Sequence, residues 1–325
     1  MIDLSNKRVL LTGGTGTIGK ALLSEILQLK KPPKQLIILS RDEYKQYQLN
    51  KHFALDQHPF VTFTLADVRD YASLAEEFQG VNLVIHAAAL KRVDSGENHP
   101  DAFVETNILG TKNVMAAAKM QQVGQVITIS TDKAVYPTTL YGSTKLCAER
   151  IAIQKNNATR MLSSVIRLGN ILGSRGSIVN ELLDKDDHAL IQLTHPEMTR
   201  FTMTTAEAAR YVLKVIDQAR GGEIFIPKMD IYRLVDLVSV IAPAAEIQFT
   251  EPRYTEKIHE NLLSHEEARF TLEGEHEYVI SLLDTVRKYY QQHAYQIVPH
   301  TFEYHSNQNS FLSRQSLEQL LQPLV

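Results

Sequence analysis

A tyrosine and a lysine near the middle of the chain have the spacing of a proton-transfer pair. Tyr141 and Lys145 are four residues apart, so a helix places them on one face. A protonated lysine nearby favours phenolate over phenol. We therefore expect a lowered pKa for Tyr141, so that it can take a proton from a hydroxyl group. A surface pair without a chemical role is the alternative.

Two charged residues, Asp132 and Lys133, lie at the end of a predicted strand, and Tyr141 follows eight residues after Lys133. The strand is the apolar segment Val126 to Ile129, which continues into Thr131. Charged residues at a strand end beside a tyrosine–lysine pair are candidates for catalysis, and we include both. They could instead form a solvated ion pair on a loop.

A glycine-rich segment, Thr12 to Gly19, directly follows the first apolar run and precedes an apolar helix. Glycines let the backbone approach a pyrophosphate, and the helix N-terminus offers unpaired N–H groups to it. A glycine turn with a purely structural role is the alternative. The strand–turn–helix context favours a dinucleotide site. The residues expected to bind this cofactor are Gly13, Thr15, Gly16, Thr17, Ile18 and Gly19.

The second predicted strand ends at Leu39 and is followed by Ser40, at the position where NAD enzymes usually carry a carboxylate that binds the ribose. Ser40, Arg41 and Lys45 suit the additional 2′-phosphate of NADP, because guanidinium and phosphate match bidentately. We therefore predict NADP, with NAD as the alternative because Asp42 could reach a ribose.

Further cofactor contacts are expected after the third and fourth strands. Asp67 and Val68 would lie beside the adenine, although Asp67 could instead cap the following helix. Small side chains would leave room for the pyrophosphate and ribose. The remaining candidates are Ala87, Ala88, Ala89 and Asn107, besides Tyr141 and Lys145.

Strand-length apolar runs alternate with helical patterns along the first half of the chain, which is typical of βαβ units. The runs are Val9 to Leu11, Gln35 to Leu39, Val61 to Leu65, Leu83 to His86, Val126 to Ile129 and Ser164 to Leu168. This pattern predicts an α/β fold, a Rossmann-type doubly wound parallel sheet.

The later half predicts a smaller α/β domain interleaved with the first. A helix over Thr205 to Ala219 and a strand over Ile224 to Ile226 return to the sheet. We therefore assign 1–168 and 201–228 to an NADP-binding domain, and 169–200 and 229–325 to a substrate domain. A polar tail, Tyr304 to Ser310, shows little periodicity.

Composition excludes several function classes. With 325 residues, 44% hydrophobic, 22% charged and a net charge of −3, the chain gives no reason to expect nucleic acid or membrane as partner. It has no signal-peptide layout, so we expect a cytoplasmic protein. The single cysteine, Cys147, is expected in the core, and the twelve histidines lack ligand spacing, so no metal is predicted.

These residues resemble the inverting UDP-N-acetylglucosamine 4,6-dehydratases, soluble members of the extended short-chain dehydrogenase/reductase superfamily. The most discriminating segment is Thr131 to Lys133, because simple epimerases and reductases usually lack its Asp–Lys pair. The segments that carry the resemblance are Thr12 to Gly19, Ser40 to Glu43, Asp67 to Asp70, His86 to Lys91, Ser130 to Lys133, Tyr141 to Lys145, Gly169-Asn170, Gly173 to Ser177, Met198 to Phe201, Gly221 to Phe225 and Phe302 to Tyr304.

The resemblance implies NADP-dependent conversion of a nucleotide sugar to its 4-keto-6-deoxy form. Oxidation at C4 makes the C5 proton acidic, water leaves across C5 and C6, and hydride returns to C6. By resemblance, Lys133 removes the C5 proton, with inversion, and Asp132 assists departure of the C6 hydroxyl. Tyr141 works on O4, and Lys145 orients the nicotinamide ribose.

The resemblance also implies substrate contacts and a homo-oligomer, either a dimer or a hexamer. Arg175 and Arg200 suit a diphosphate, although either of them could instead form a structural ion pair. Lys91 could instead be a solvated surface lysine. The expected substrate-binding residues are Lys91, Thr131, Asn170, Arg175, Arg200 and Glu256.

Two segments depart from the family pattern and leave the nucleotide and the acyl group open. Tyr254-Thr255 stands where members usually have Pro-Gly, and Arg92 to Glu97 replaces an apolar, proline-containing segment. Two other functions stay open. A nucleotide-sugar C4 epimerase would need no C5 base, and a non-catalytic NADP-sensing regulator would commonly lose the tyrosine–lysine pair.

Overall fold

The computed structural model describes residues 2–153, 161–174, 176–183, 190–252, 254–308 and 310–324. Its strands are β1 (Arg8–Thr12), β2 (Gln35–Ser40), β3 (Val61–Leu65), β4 (Leu83–His86), β5 (Gln125–Thr131), β6 (Leu162–Leu168), β7 (Asn170–Ile171), β8 (Leu190–Leu193), β9 (Thr199–Met203), β10 (Glu223–Pro227), β11 (Asp230–Arg233), β12 (Glu246–Phe249), β13 (Asn261–Leu263), β14 (Thr271–Glu273), β15 (Glu277–Ser281), β16 (Gln296–Ile297) and β17 (Tyr304–His305).

The helices alternate with these strands over the first half of the chain. They are α1 (Thr17–Leu27), α2 (Glu43–Phe53), α3 (Tyr71–Glu77), α4 (Val93–Asn98), α5 (Pro100–Phe103), α6 (Gly110–Met120), α7 (Leu140–Ala152), α8 (Ile178–Leu183), α9 (Thr205–Gln218), α10 (Leu234–Ile241), α11 (His265–Ala268), α12 (Asp284–Gln292) and α13 (Arg314–Leu321). Short 3₁₀ turns cover Leu55–Gln57, Asp132–Ala134 and Gln322–Leu324.

The centre of the molecule is a run of parallel strands in the order β3-β2-β1-β4-β5-β6-β10. Successive residues of β1 face opposite layers: Val9 and Leu11 pack with α1 and α9, whereas Leu10 packs with α3 and α6. Both faces of the sheet are therefore buried, which explains the continuous apolar runs. The predicted Rossmann-type doubly wound fold is confirmed.

Three antiparallel strands extend this sheet beyond β10, in the order β15, β14 and β16, to give ten strands. They come from residues that we assigned to the substrate domain. Conversely, β9 crosses the predicted boundary at 201 and pairs with β7 and β11 in a separate three-stranded sheet. The strand pairing thus differs from the predicted division, because each of the added short strands pairs antiparallel with its neighbour and so continues the edge of the central sheet.

The helical segment from α5 to α6 contains a local irregularity. A π-helical turn, Val104–Leu109, joins α5 to α6. The helix predicted over Thr205 to Ala219 is α9, which begins with a capping box between Thr204 and Glu207. The strand predicted at Ile224 is β10, as expected.

Two expectations were wrong. The segment from Tyr304 is not a loose polar tail: β17 pairs with β13, and the Tyr304 ring is 4% exposed with its centroid 4.7 Å from that of Phe201. Cys147 is exposed rather than buried, because it lies on the outer face of α7. Within the described residues, no helix is both long and apolar enough to cross a membrane.

Candidate active site

A cleft of about 470 Å³ lies at the carboxyl ends of the central strands. One wall comes from the segments after β4 and β5 and from the start of α7, and the other from β7, β9 and the loop before β13. In doubly wound folds, ligands bind at this edge of the sheet, where the strand order reverses. The sequence-predicted catalytic residues line it, namely Asp132, Lys133, Tyr141 and Lys145.

Tyr141 and Lys145 lie in the first two turns of α7, whose N-terminus is capped by Thr139. Tyr141 is 8% exposed, and Phe103 packs edge-to-face against its ring. The Lys145 ammonium donates to the carbonyl of Ile129 on β5, with an N···O distance of 2.7 Å. The hydrogen bond and the helix cap together fix both side chains against the strand.

The Lys133 ammonium lies between two buried carboxylates. Its Nζ is 3.2 Å from Oδ1 of Asp132 and 3.3 Å from Oε1 of Glu260, which comes from the start of the β13 segment. Thr131 donates to the same oxygen of Asp132 at 2.8 Å. Oδ2 of Asp132 and Oε2 of Glu260 are buried and have no hydrogen-bond partner among the described residues.

The proton affinities of this cluster differ from the sequence-based expectation. Burial raises the pKa of Tyr141 to about 12, and this outweighs the lowering by Lys133 and by a hydrogen bond with Thr131. Burial lowers the pKa of Lys145 to about 8. The expected lowering of the Tyr141 pKa is therefore wrong here, and the cation that acts on it is Lys133 rather than its helix neighbour.

Asp132 and Lys133 have raised pKa values for different reasons. Burial raises the pKa of Asp132, which suits a proton donor. Burial lowers the pKa of Lys133, but the charges of Asp132 and Glu260 outweigh it and raise the pKa above its ordinary value. Lys133 is thus an ammonium in this arrangement and must release a proton before it can act as a base.

The glycine-rich segment has the geometry of a pyrophosphate cradle. Gly13 has a φ of +69°, and a Cβ there would lie 2.7 Å from the backbone N of Ala88. A Cβ on Gly19 would lie 2.4 Å from the carbonyl of Gly14, so α1 starts in close contact with the loop. Thr15 is buried, while Gly16 is the N-cap of α1 and leaves its end open. These residues fit a dinucleotide.

Several predicted cofactor residues meet in the cleft, namely Thr17, Ile18, Ala87, Ala89, Tyr141 and Lys145. Asn107 lies behind it, in the π-helical turn, and is 1% exposed. Its amide accepts from the N–H of Leu90 at 2.8 Å and donates to the Leu90 carbonyl at 2.9 Å. It therefore positions the segment after β4, and a direct contact with cofactor stays a prediction.

The residues predicted to select NADP lie at the ends of β2 and β3. The Ser40 hydroxyl accepts from Gln46 at 3.0 Å, and Arg41 lies 3.6 Å from Asp67. Lys45 pairs with Asp42 at 2.5 Å. The helix after Asp67 is capped by Asp70, which removes the capping alternative for Asp67. Val68 is buried against α6.

Residues 9–282 match the family described as "Polysaccharide biosynthesis protein". The chain belongs to this family. It is 37% identical over 282 residues to a UDP-N-acetylglucosamine 4,6-dehydratase (inverting) of Campylobacter jejuni, which covers 85% of this chain and 83% of the relative. It is also 38% identical over 279 residues to a UDP-glucose 4-epimerase of Rickettsia bellii, with 81% and 79% covered.

A solved structure extends the similarity over the whole chain. The X-ray structure of Pen from Bacillus thuringiensis superposes with a TM-score of 0.90 at 32% identity, and the match covers 99% of both chains. The strands and helices that form the cleft are therefore shared with a solved structure.

The residues that the family resemblance assigns to substrate converge on the cleft, apart from one. Lys91, Thr131, Asn170, Arg200 and Glu256 line it, whereas Arg175 lies outside the described residues. Arg200 does not point freely into the cleft. Its Nη1 donates to the carbonyls of Thr199 and Ile258, at 2.8 and 3.0 Å.

Sequence reasoning missed Glu260 and the ion network behind the site. Glu260 is far from Lys133 along the chain, and no spacing rule connects the two. Behind the cleft, Arg167 is fully buried and pairs with Glu149 at 2.8 Å and Glu267 at 2.7 Å. Glu149 also accepts from the hydroxyl of Ser130 on β5 at 2.6 Å. A charged residue inside the apolar sixth strand was the available signal for this network.

Proposed function

We propose that this protein is a nucleotide-sugar 4,6-dehydratase, a hydro-lyase acting on UDP-N-acetylglucosamine or a close analogue, with inversion at C5. The observation that carries the proposal is the ion pair between the buried Asp132 and the partly exposed Lys133, 3.2 Å apart, in the same cleft as Tyr141. Elimination across C5 and C6 needs one group that takes a proton and one that gives a proton. The similarity to the Campylobacter dehydratase supports the same reaction.

The proposal includes a nicotinamide dinucleotide on the glycine-rich segment, with NADP favoured over NAD. Gly13, Gly16 and Thr17 would hold this dinucleotide, which would supply hydride transfer from C4 and back to C6, so no external reductant would be consumed. Arg41 and Lys45 are both about half exposed at the end of β2 and can turn from their carboxylate partners to a 2′-phosphate.

Within the site, Tyr141 is a phenol at neutral pH, so it takes the proton of the C4 hydroxyl only after its own phenol proton has been released. Lys145 places the nicotinamide ribose. Asp132 gives a proton to the departing C6 hydroxyl, which agrees with its raised pKa. Lys133 takes the C5 proton after it has passed one of its own to Asp132. Lys91, Asn170, Arg200 and Glu256 hold the sugar nucleotide from the cleft walls. A homo-oligomer and a cytoplasmic location belong to the same proposal.

The test is proton NMR of the purified protein with UDP-N-acetylglucosamine in D₂O. A new C6 methyl signal with deuterium at C5 is the expected result, and both must disappear in Lys133→Ala. The couplings of the C5 position report inversion or retention. A C6 hydroxymethyl group that persists throughout, with a changed C4 configuration, would contradict the dehydratase.

The second candidate is a nucleotide-sugar C4 epimerase, which the similarity to the Rickettsia enzyme favours. Epimerisation requires Tyr141 and the cofactor but no base at C5. The two functions therefore differ in the effect of Lys133→Ala, which abolishes dehydration and leaves C4 epimerisation largely intact.

A further inference from the structure

Glu260 is a buried carboxylate for which the proposed reaction has given no role. Its side chain is 5% exposed, and its backbone is fixed by Ser306, whose N–H donates to the Glu260 carbonyl at 2.8 Å. The Ser306 hydroxyl also accepts from the Glu260 N–H at 2.8 Å. The position of the carboxylate is therefore set by the pairing between β13 and β17.

Three cations surround this carboxylate from three elements. Oε1 lies 3.3 Å from Nζ of Lys133, on the turn after β5, and 3.9 Å from Nε of Arg200, on β9. Oε2 lies 3.9 Å from Nζ of Lys257, on the preceding loop. These charges hold the pKa of Glu260 below its ordinary value despite burial, so it is ionised at neutral pH.

Other titratable groups face the same cluster. Asp132 contacts Lys133 from its own turn, and Tyr141 acts on Lys133 from α7. Tyr232 on β11 lies within reach of the charges of Lys133 and Arg200, and Glu256 lies 4.0 Å from Arg200. His259 is the nearest histidine in sequence, and its Nδ1 is 2.8 Å from the hydroxyl of Thr199.

In this geometry the Glu260 carboxylate is the main counter-charge to Lys133, Arg200 and Lys257. Without it, Asp132 alone would face Lys133, while Arg200 and Lys257 would repel the same ammonium. Lys133 would then lose its proton at a lower pH, and its Nζ would lose one of two anchors. If neither Asp132 nor Lys133 holds this proton, the pair cannot protonate the departing C6 hydroxyl.

We propose that Glu260 is a positioning residue that holds Lys133 against Asp132 and keeps one proton on this pair. The proposal rests on the dehydratase function proposed above. In the working step, an N–H bond of Lys133 breaks and an O–H bond of Asp132 forms, across the 3.2 Å contact. The products are a neutral amine and a carboxylic acid, so the net charge is unchanged and Glu260 remains a carboxylate.

The direct test measures the proton affinity of Lys133 without any turnover. Lys133 is 26% exposed, so acetic anhydride can label it, and mass spectrometry of its peptide gives reactivity against pH. In Glu260→Gln, the midpoint of labelling is expected to fall by about 1 to 3 pH units. An unchanged midpoint overturns the proposal. Because no substrate is used, this result stands even if UDP-N-acetylglucosamine is not turned over.

Glu256→Gln is the matched control for this measurement. Glu256 is on the same loop and faces Arg200 at 4.0 Å, but Glu260 is the loop carboxylate that contacts Lys133. The midpoint of Lys133 labelling should stay within about 0.5 pH unit of wild type in this control. A shift equal to that of Glu260→Gln would mean that general charge near Arg200, rather than Glu260, sets the proton affinity, and would overturn the proposal.

Kinetics then separate positioning from folding. In Glu260→Gln, kcat is expected to fall about 10- to 100-fold with a smaller change in KM, and the alkaline limb of the kcat profile should move to lower pH. Glu260→Asp keeps the charge at a greater distance, so it should recover part of kcat with a smaller shift. If Glu260→Gln does not fold and Glu260→Asp does, the midpoint of Lys133 labelling is measured in Glu260→Asp. A midpoint that is not lower than in wild type overturns the proposal.

Discussion

Individual residues in this cleft balance the cost of burying charge against the need for reactive groups. Lys145 illustrates the conflict, because burial lowers its pKa to about 8 although its ammonium donates a hydrogen bond to the carbonyl of Ile129. Asp132 and Glu260 are also buried, yet each keeps one oxygen without a partner among the described residues. Such groups destabilise the folded chain and are retained where function requires them.

Replacing Lys145 with methionine should therefore stabilise the protein at neutral pH. The folded-state pKa of about 8 lies below the ordinary 10.5, so the folded state binds fewer protons. The resulting destabilisation is fully present below pH 8 and disappears as the pH rises past 10.5. After allowing for the lost hydrogen bond, we expect Lys145→Met to gain about 1 to 2 kcal/mol at pH 7.

The measurement is urea unfolding of both proteins at pH 7 and at pH 10.5 or above. The gain should be present at pH 7 and absent at the higher pH. The Lys145→Met variant should be inactive at both pH values. A variant that is less stable than wild type at pH 7 would mean that the Lys145 ammonium is better solvated than its burial indicates.

Arg41 should discriminate between the two dinucleotides. Its guanidinium is 46% exposed and only loosely paired with Asp67, at 3.6 Å. Arg41→Ala should raise the Kd for NADP about 10- to 100-fold, because a charge-assisted hydrogen bond contributes about 1.5 to 3 kcal/mol. The Kd for NAD should change little. Titration calorimetry compares the two, with the exposed Lys51→Ala on α2 as the control. An equal increase in the Kd values for NADP and NAD would argue against NADP selection by Arg41.

At the scale of elements, hydrogen bonds through His86 connect the loop between β1 and α1 to the end of β4 and to α6. The Thr12 hydroxyl lies 2.8 Å from Nδ1 of His86, and Nε2 of His86 lies 3.0 Å from the hydroxyl of Thr111 on α6. Burial lowers the pKa of His86 to about 3, so the histidine is neutral and bridges the two hydroxyls. These contacts thus connect the cofactor loop to the segment after β4 and to α6.

Gly13→Ala should disrupt the loop between β1 and α1. The new Cβ would overlap the backbone N of Ala88 at 2.7 Å, and the residue has a φ of +69° that alanine adopts only with strain. We expect at least a tenfold loss of dinucleotide affinity and a loss of stability of about 1 to 3 kcal/mol. Gly124→Ala is the control, since its Cβ would meet only the carbonyl of Asn82, at 3.4 Å. Wild-type affinity in Gly13→Ala would show that the loop can move away.

The elements differ in how far the sequence could predict them. The glycine loop and the Tyr141–Lys145 pair depend on spacing within one turn or helix, so local pattern was sufficient. Glu260 reaches Lys133 only because β13 pairs with β17 beside the cleft, and no local rule encodes that distance. The strands β14 to β16 were not predicted from the sequence, because at two to five residues they are too short to show a clear apolar period.

At the scale of the whole molecule, the Rossmann sheet and the later segments share one buried charge network. Arg167, at the end of β6, donates to both oxygens of Glu149 on α7 and to both oxygens of Glu267 on α11. It also donates to the carbonyl of Leu262 on β13, at 3.1 Å. The Arg167 guanidinium therefore links the strand that follows Glu260 to the central sheet.

Arg167→Met should consequently destabilise the protein by about 3 to 5 kcal/mol, because it leaves two carboxylates buried without their cation. Arg314→Met is the control: its ion pair with Glu318 is exposed, and its loss should cost less than about 0.5 kcal/mol. Urea unfolding measures both. Because Leu262 lies beside Glu260, Arg167→Met should also lower kcat under conditions where the variant remains folded. Loss of stability with an unchanged kcat would mean that the site keeps its geometry without this connection.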